Sequence, residues 1–134
     1  MLSDSSTKFD TPLPGRPVAS DVAERVISDF LLRFRKTAAS QSPSNIPTAC
    51  VLRGRKFRDL LIPPKLLEKH QILFFLESAS ILNVVDPSAV VHYFEERKPW
   101  EDYDICLFDE SLEWCIGITH NGDTIITDAE GVLG

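Results

Sequence analysis

The sequence predicts an α+β fold: a mainly antiparallel sheet ending in a C-terminal meander, with an N-terminal amphipathic helix and two further helices packed on the sheet. Three observations lead there. Apolar residues recur at helical spacing between residues 20 and 38, Asp86-Pro87 has the chemistry of a helix start, and the C-terminal third reads as three strands, the last two joined by Asn121-Gly122. A chain of 134 residues is of single-domain size, so residues 19–134 are expected to form one domain behind a flexible tail at 1–18.

That tail mixes Ser, Asp, Thr, Pro and Gly, and its three prolines at 12, 14 and 17 suit neither a helix interior nor a central strand. Asp21 and Glu24 then have capping-box spacing. Val22, Val26, Phe30 and Phe34, with Ala23, Ile27 and Leu31, supply the apolar face of a helix over about 20–38, and Arg33, Arg35 and Lys36 suit its negative pole. The turn-rich stretch 41–47 reads as a loop, Thr48 to Arg53 as a short strand ended by Gly54, and Pro64 to His70 as a short helix with proline in its first turn.

Ile72-Leu-Phe-Phe-Leu76 lacks polar alternation, so periodicity leaves a buried strand and a buried helix both open. Composition favours a hairpin with the β-branched run Ile81 to Val85 across a turn at Glu77 to Ser80, the competitor being one long helix over 65–85. Asp86 as N-cap and Pro87 at N1 open a helix over 87–97 whose buried stripe is Ala89, Val90, Tyr93 and Phe94.

The remaining strands are Tyr103 to Phe108, Trp114 to His120 and Asp123 to Asp128. A two-residue type I′ turn at Asn121-Gly122 pairs His120 with Asp123, Thr119 with Thr124, Ile118 with Ile125 and Ile116 with Thr127. In that register one face carries Ile105, Leu107, Trp114, Ile116, Ile118 and Ile125, and the other Cys106, Phe108, Cys115, Gly117 and Ile126. Apolar residues on both sides of 114–119 imply a central strand covered on both faces. A four-residue loop at 109–112 would set Cys106 opposite Cys115, as two buried thiols or a cross-strand disulfide.

The charge is divided. Residues 1–70 carry 12 Lys+Arg against 7 Asp+Glu and residues 71–134 carry 2 against 13, which gives halves of +5 and −11. An acidic half repels nucleic acid and attracts a basic protein partner. The residues that would present it are Trp100, Glu101, Asp102, Asp109, Glu110 and Glu113. The basic knot Arg53-Gly-Arg-Lys-Phe-Arg58 has the chemistry to touch phosphates and stack a base, but the acidic remainder opposes a polyanion, which favours the protein's own acidic half or solvent as its partner. Three cysteines without CxxC, an N-terminus without an apolar core and the absence of a long apolar run point to a cytoplasmic chain with no membrane segment.

Catalytic chemistry finds little support. His120 with Asp123 is the alternative site, a small hydrolase or metal-dependent enzyme in which the imidazole acts as base or ligand, although a cross-strand polar pair explains the two residues as well. Cys50 or Cys115 with His70, His92 or His120 has no nucleophile signature around it. No HxxH, HExxH, CxxC, calcium loop or phosphate-binding glycine motif occurs, so neither metal nor cofactor is expected.

The stretch from Tyr103 to Trp114, continuing to Ile118-Thr-His120, resembles the C-terminal hairpin of small uncharacterised bacterial α+β proteins, some of them immunity-like. The resemblance rests on an aspartate-bearing turn, a tryptophan and a Thr-His strand end. It implies a bacterial cytosolic accessory or immunity-like protein without enzymatic activity, and it brings no catalytic residues.

Overall fold

The computed structural model describes residues 11–36, 46–128, 131 and 133. The fold is α+β, with a single antiparallel sheet of seven strands and three helices among those residues. The strands are β1 (Arg16–Pro17), β2 (Arg55–Phe57), β3 (Ile72–Leu76), β4 (Ile81–Val85), β5 (Ile105–Phe108), β6 (Trp114–Ile118) and β7 (Thr124–Asp128), in the order β1-β4-β3-β5-β6-β7-β2. The helices are α1 (Ser20–Phe30), which runs on as a π-helical turn Leu31–Lys36, α2 (Thr48–Val51) and α3 (Pro87–Glu96). None is long and apolar enough to cross a membrane.

Helices cover both faces of the sheet. On one side α1 and α2 bury Val26, Phe30, Phe34, Ala49 and Leu52 against Phe75, Cys106, Phe108 and Cys115. On the other, α3 and a 3-10 turn at Pro64–Glu68 bury Leu66, Val90, Tyr93 and Phe94 against Phe74, Leu107, Trp114 and Ile116. This arrangement explains the run at 72–76: every residue of β3 is buried on one face or the other, so the strand shows no apolar–polar alternation. It also rules out a single helix over 65–85, because β3 and β4 pair antiparallel from Ile72↔Val85 to Leu76↔Ile81.

The apolar set of α1 is buried at Val26, Phe30 and Phe34, four residues apart, and half-buried at Val22, Ala23, Ile27 and Leu31. Phe30 stacks on Phe108 at 4.3 Å, and sequestering one such side chain is worth about 1.5–3 kcal/mol. Asp21 is not the N-cap. The helix begins at Ser20 with Ala19 as N-cap, two residues before Asp21, which lies in its first turn; the Val18 N–H donates to Leu82 O (3.0 Å) where the chain leaves the sheet. Residues 37 and 38, expected to finish this helix, lie outside the described residues, as do 1–10 of the expected tail.

Residues 11–18 are not tail but part of the sheet edge. β1 pairs with β4, Asn83 Nδ2 donates to Pro14 O (2.9 Å), and Thr11 is buried. Prolines are compatible with this because a two-residue edge strand needs few backbone donors.

The strand expected at 48–53 is instead helix α2 followed by the edge strand β2 on β7. Two distant residues cause this. The Glu77 carboxylate accepts from Thr48 N (2.7 Å) and Thr48 Oγ1 (2.8 Å), placing an anion at the helix N-terminus. Gly117 in β6 then provides the space: a Cβ there would lie 2.8 Å from Ala49 O, so only glycine lets α2 rest on this strand.

The C-terminal hairpin forms, but one residue out of the expected register. Ile118 pairs with Thr124, Gly117 with Ile125 and Ile116 with Ile126. Thr119 N–H donates to Asp123 O and Gly122 N–H to Thr119 O, so His120, Asn121 and Gly122 form a three-residue loop. Gly122 has φ +87° whereas Asn121 is not among the positive-φ residues, which is a type I turn followed by a left-handed glycine and not type I′. The slip exchanges Ile125 and Ile126 between the two faces. The β5–β6 loop is also longer than expected: Phe108 pairs with Cys115 and Cys106 with Gly117, so the two thiols are diagonal, not opposite, and both are free and buried.

Candidate functional site

The antiparallel pairing of β5 with β6 separates the acidic residues expected to act together. Asp104 and His120 flank the pair Ile105↔Ile118, whereas Asp109, Glu110 and Glu113 lie beyond Phe108↔Cys115 at the opposite end. Glu110 and Glu113 are exposed. Asp109 builds its own loop: Oδ1 accepts from Ser111 N (3.0 Å) and Oδ2 from Trp114 Nε1 (3.0 Å), with Lys69 Nζ at 4.0 Å. Its carboxylate is committed to the turn and to a buried indole.

Glu101 is not on the surface at all. It is 1% exposed, and its carboxylate accepts from Thr11 N (3.0 Å), Thr11 Oγ1 (2.6 Å) and Lys98 N (2.8 Å). Glu101 N–H also donates to Lys98 O (2.9 Å) and Arg97 Nη1 to Glu101 O (3.2 Å), while the Arg97 guanidinium lies 4.6 Å from the centre of the Phe94 ring. These bonds lock the bend that follows α3. At its tip Trp100 is 66% exposed, with Asp102 exposed after it and Glu95 and Glu96 exposed on the last turn of α3. In the sequence Glu101 is indistinguishable from its acidic neighbours, because nothing local separates a buried acceptor from a solvated acid; its partner Thr11 is 90 residues away.

His120 faces Asp104 in place of the expected Asp123. Placing it in the turn loop lets its backbone N–H donate to Asp104 Oδ1 (2.8 Å) and sets Nδ1 3.0 and 3.2 Å from the two Asp104 oxygens. Asp123 pairs with Lys56 Nζ at 3.5 Å, and Arg55 pairs with Asp128 at 3.3 Å, so the basic knot is answered in part by the acidic half of the same chain. The third member of the cluster is Cys50 on α2, whose thiol donates to Asp104 Oδ1 (3.4 Å). One donor atom from each of Cys50, Asp104 and His120 lies within 4.8 Å of the other two.

The order of these groups decides what they can do. The Asp104 carboxylate raises the pKa of His120, through its hydrogen bond and its charge. Burial, followed by the charge and hydrogen bond of Asp104, pushes the Cys50 thiol up to about 11. A nucleophilic cysteine needs the opposite arrangement, with an imidazole against the sulfur to draw off its proton. With the carboxylate in the middle the thiol stays protonated, and the cluster is better suited to ligation than to attack. His92 faces Glu96 on α3 at 3.2 Å and His70 is exposed. The Cys106 thiol, hydrogen-bonded to Cys115 and fully desolvated, is held well above its ordinary range.

No sequence motif marks this cluster, since its members are 54 and 16 residues apart and Cys50 lies in a stretch whose composition predicts a strand. The signal that could have found it is register: pairing Ile105 with Ile118 brings residue 104 beside the 119–120 turn. Comparison with protein families, curated proteins and solved structures finds no match to this chain.

Proposed function

We propose that the protein is a non-enzymatic, immunity-like or accessory domain of the bacterial cytoplasm that binds a basic protein partner through its acidic half, with Trp100 as the apolar anchor. One observation carries the reading: a two-thirds exposed tryptophan stands on a bend whose geometry is fixed from beneath by the buried Glu101 carboxylate. Tryptophan supplies large contact area for little rotamer entropy, and a preorganised loop avoids the ordering cost that weakens flexible binders. Exposed Glu95, Glu96 and Asp102 around it supply charge that steers a cationic surface. The alternative, catalysis by His120 with Asp123, is weakened by the engagement of those residues with Asp104 and Lys56 respectively.

The test is co-purification of the tagged protein from its native host. A basic partner should be retained at low salt and released at high salt, and Trp100→Ala should weaken retention by roughly 30-fold or more, the loss of about 2 kcal/mol that marks an anchor. Glu110→Gln with Glu113→Gln, at the other end of the sheet from Trp100, should weaken retention far less than Trp100→Ala. Because Trp114 is buried, the change in tryptophan emission on binding reports Trp100. Recovery of the protein alone at every salt concentration, or retention indifferent to Trp100, refutes the reading; a toxin gene beside its own would identify the partner to use.

A further inference from the structure

We propose that Cys50, Asp104 and His120 form a binding site for one tetrahedral divalent transition-metal ion of the zinc type. The three donors are a sulfur, a carboxylate oxygen and an imidazole nitrogen, the set that borderline-soft zinc prefers and that calcium and magnesium, which take oxygen, do not. They come from three separate parts of the fold: α2, the entry to β5 and the β6–β7 turn.

The distances are close to those a metal would impose. Zinc bonds of about 2.3 Å to sulfur and about 2.0 Å to nitrogen and oxygen place tetrahedral donors roughly 3.3–3.5 Å apart. Here Cys50 Sγ lies 3.4 Å and His120 Nδ1 3.0 Å from Asp104 Oδ1, and no pair of the three donor atoms exceeds 4.8 Å. Only the sulfur-to-imidazole edge must close, which rotation of the half-exposed His120 ring can accomplish.

The surroundings support the set. The His120 backbone N–H already orients Asp104, as an outer hydrogen bond orients a metal-binding carboxylate, and Gly117 fixes the height of α2, and with it Cys50, above the sheet. Binding requires the Cys50 S–H bond to break, its electron pair forming the bond to the metal and its proton passing to solvent. His120 binds as the neutral ring, so any proton held on Nδ1 by Asp104 is released as well. A thiolate and a carboxylate cancel the two positive charges, and water completes the tetrahedron on the exposed side. The site is distinct from the Trp100 bend and does not rest on the partner-binding reading.

The experiment is titration of the full-length, reduced protein with Co²⁺ as spectroscopic probe and Zn²⁺ as competitor. One equivalent of Co²⁺ should give a thiolate charge-transfer band in the near ultraviolet and the intense visible bands of tetrahedral cobalt, both abolished by Zn²⁺. Cys50→Ser should eliminate the charge-transfer band; Asp104→Asn and His120→Ala should each weaken binding by at least about tenfold, and His92→Ala should not. Should a variant fail to fold, alkylation of the wild type decides instead: Zn²⁺ should protect Cys50 from iodoacetamide, with Cys106 and Cys115 serving as buried internal controls. Weak octahedral cobalt spectra, a thiolate band that survives Cys50→Ser, or unprotected Cys50 at saturating Zn²⁺ overturns the proposal.

Discussion

Removing the Glu101 carboxylate tests whether the bend carrying Trp100 is rigid because of what lies beneath it. In Glu101→Ala, Thr11 N, Thr11 Oγ1 and Lys98 N lose an acceptor at 3.0, 2.6 and 2.8 Å. Hydrogen bonds to a charged group contribute about 1.5–3 kcal/mol each, so the gross loss is several kcal/mol. Relief of the desolvation that a 1% exposed carboxylate suffers offsets part of it, while each donor left buried without an acceptor costs about 1–3 kcal/mol. We expect about 3 kcal/mol, a large share of the roughly 5–15 kcal/mol that holds a domain folded.

Urea denaturation measures this. With a slope of about 2 kcal/mol per molar, the midpoint should fall by about 1.5 M without a change in slope. Amide exchange at Thr11 and Lys98 should accelerate even where the rest of the sheet stays protected. Glu101→Gln retains the shape but turns an NH₂ toward one of the three donors, and should lose about half as much. In the partner assay both variants should weaken binding although Trp100 is intact. A Glu101→Ala protein within about 1 kcal/mol of wild type, with unchanged exchange at the two amides, would show that the bend holds its shape by other means.

Three further outcomes follow from the same structure. Gly117→Ala brings a Cβ to 2.8 Å from Ala49 O, so α2 must shift; chemical denaturation should show a loss of about 1–3 kcal/mol, and Cys50 should alkylate faster as it leaves Asp104. Asn121→Ala should change stability by less than about 0.5 kcal/mol while Gly122→Ala, at φ +87° with open space around its Cβ position, should lose about 1 kcal/mol; similar losses at both positions would restore the type I′ turn. Burial pushes the Tyr93 phenol up to about 12 from its ordinary 10, so stability is fully present below pH 10 and declines as pH rises from 10 toward 12. Ultraviolet titration should show the Tyr93 phenol ionising at about pH 12, well above an ordinary tyrosine.

What was legible in the sequence is what local chemistry determines. The four-residue spacing of Val26, Phe30 and Phe34 identifies α1 without reference to the rest of the chain, and Asp86-Pro87 identifies the start of α3 in the same way. Helix α2 was illegible because Cys50-Val51-Leu52 is β-prone by composition, and what overrides that preference, the Glu77 carboxylate and the absence of a side chain at Gly117, is 29 or more residues away. The candidate sites were partly hidden for the same reason. Trp100 and Asp102 are exposed, yet Glu101 between them is internal, and the carboxylate that faces His120 belongs to Asp104 and not to Asp123.

The register of the last hairpin shows how polar residues decide what apolar ones leave open. Ile125 and Ile126 would each be content on either face, since both faces are covered, and Asn-Gly is compatible with a two-residue or a three-residue loop. Thr124 is not indifferent. In the observed register it is fully buried on the α3 side, where its Oγ1 donates to Asp59 O (2.8 Å) and accepts from Leu61 N (3.0 Å). Thr127, on the other side of the strand, donates to Arg53 O (2.6 Å). A slip by one residue would turn both hydroxyls away from those partners and leave the Leu61 N–H and two carbonyls of the 53–61 segment to find others, at about 1 kcal/mol or more for each bond lost. The same slip would move His120 out of the turn and into the strand, ending the backbone bond to Asp104 and dispersing the cluster with Cys50. The two threonines of β7 that hold its register thereby position the imidazole in the turn that precedes the strand.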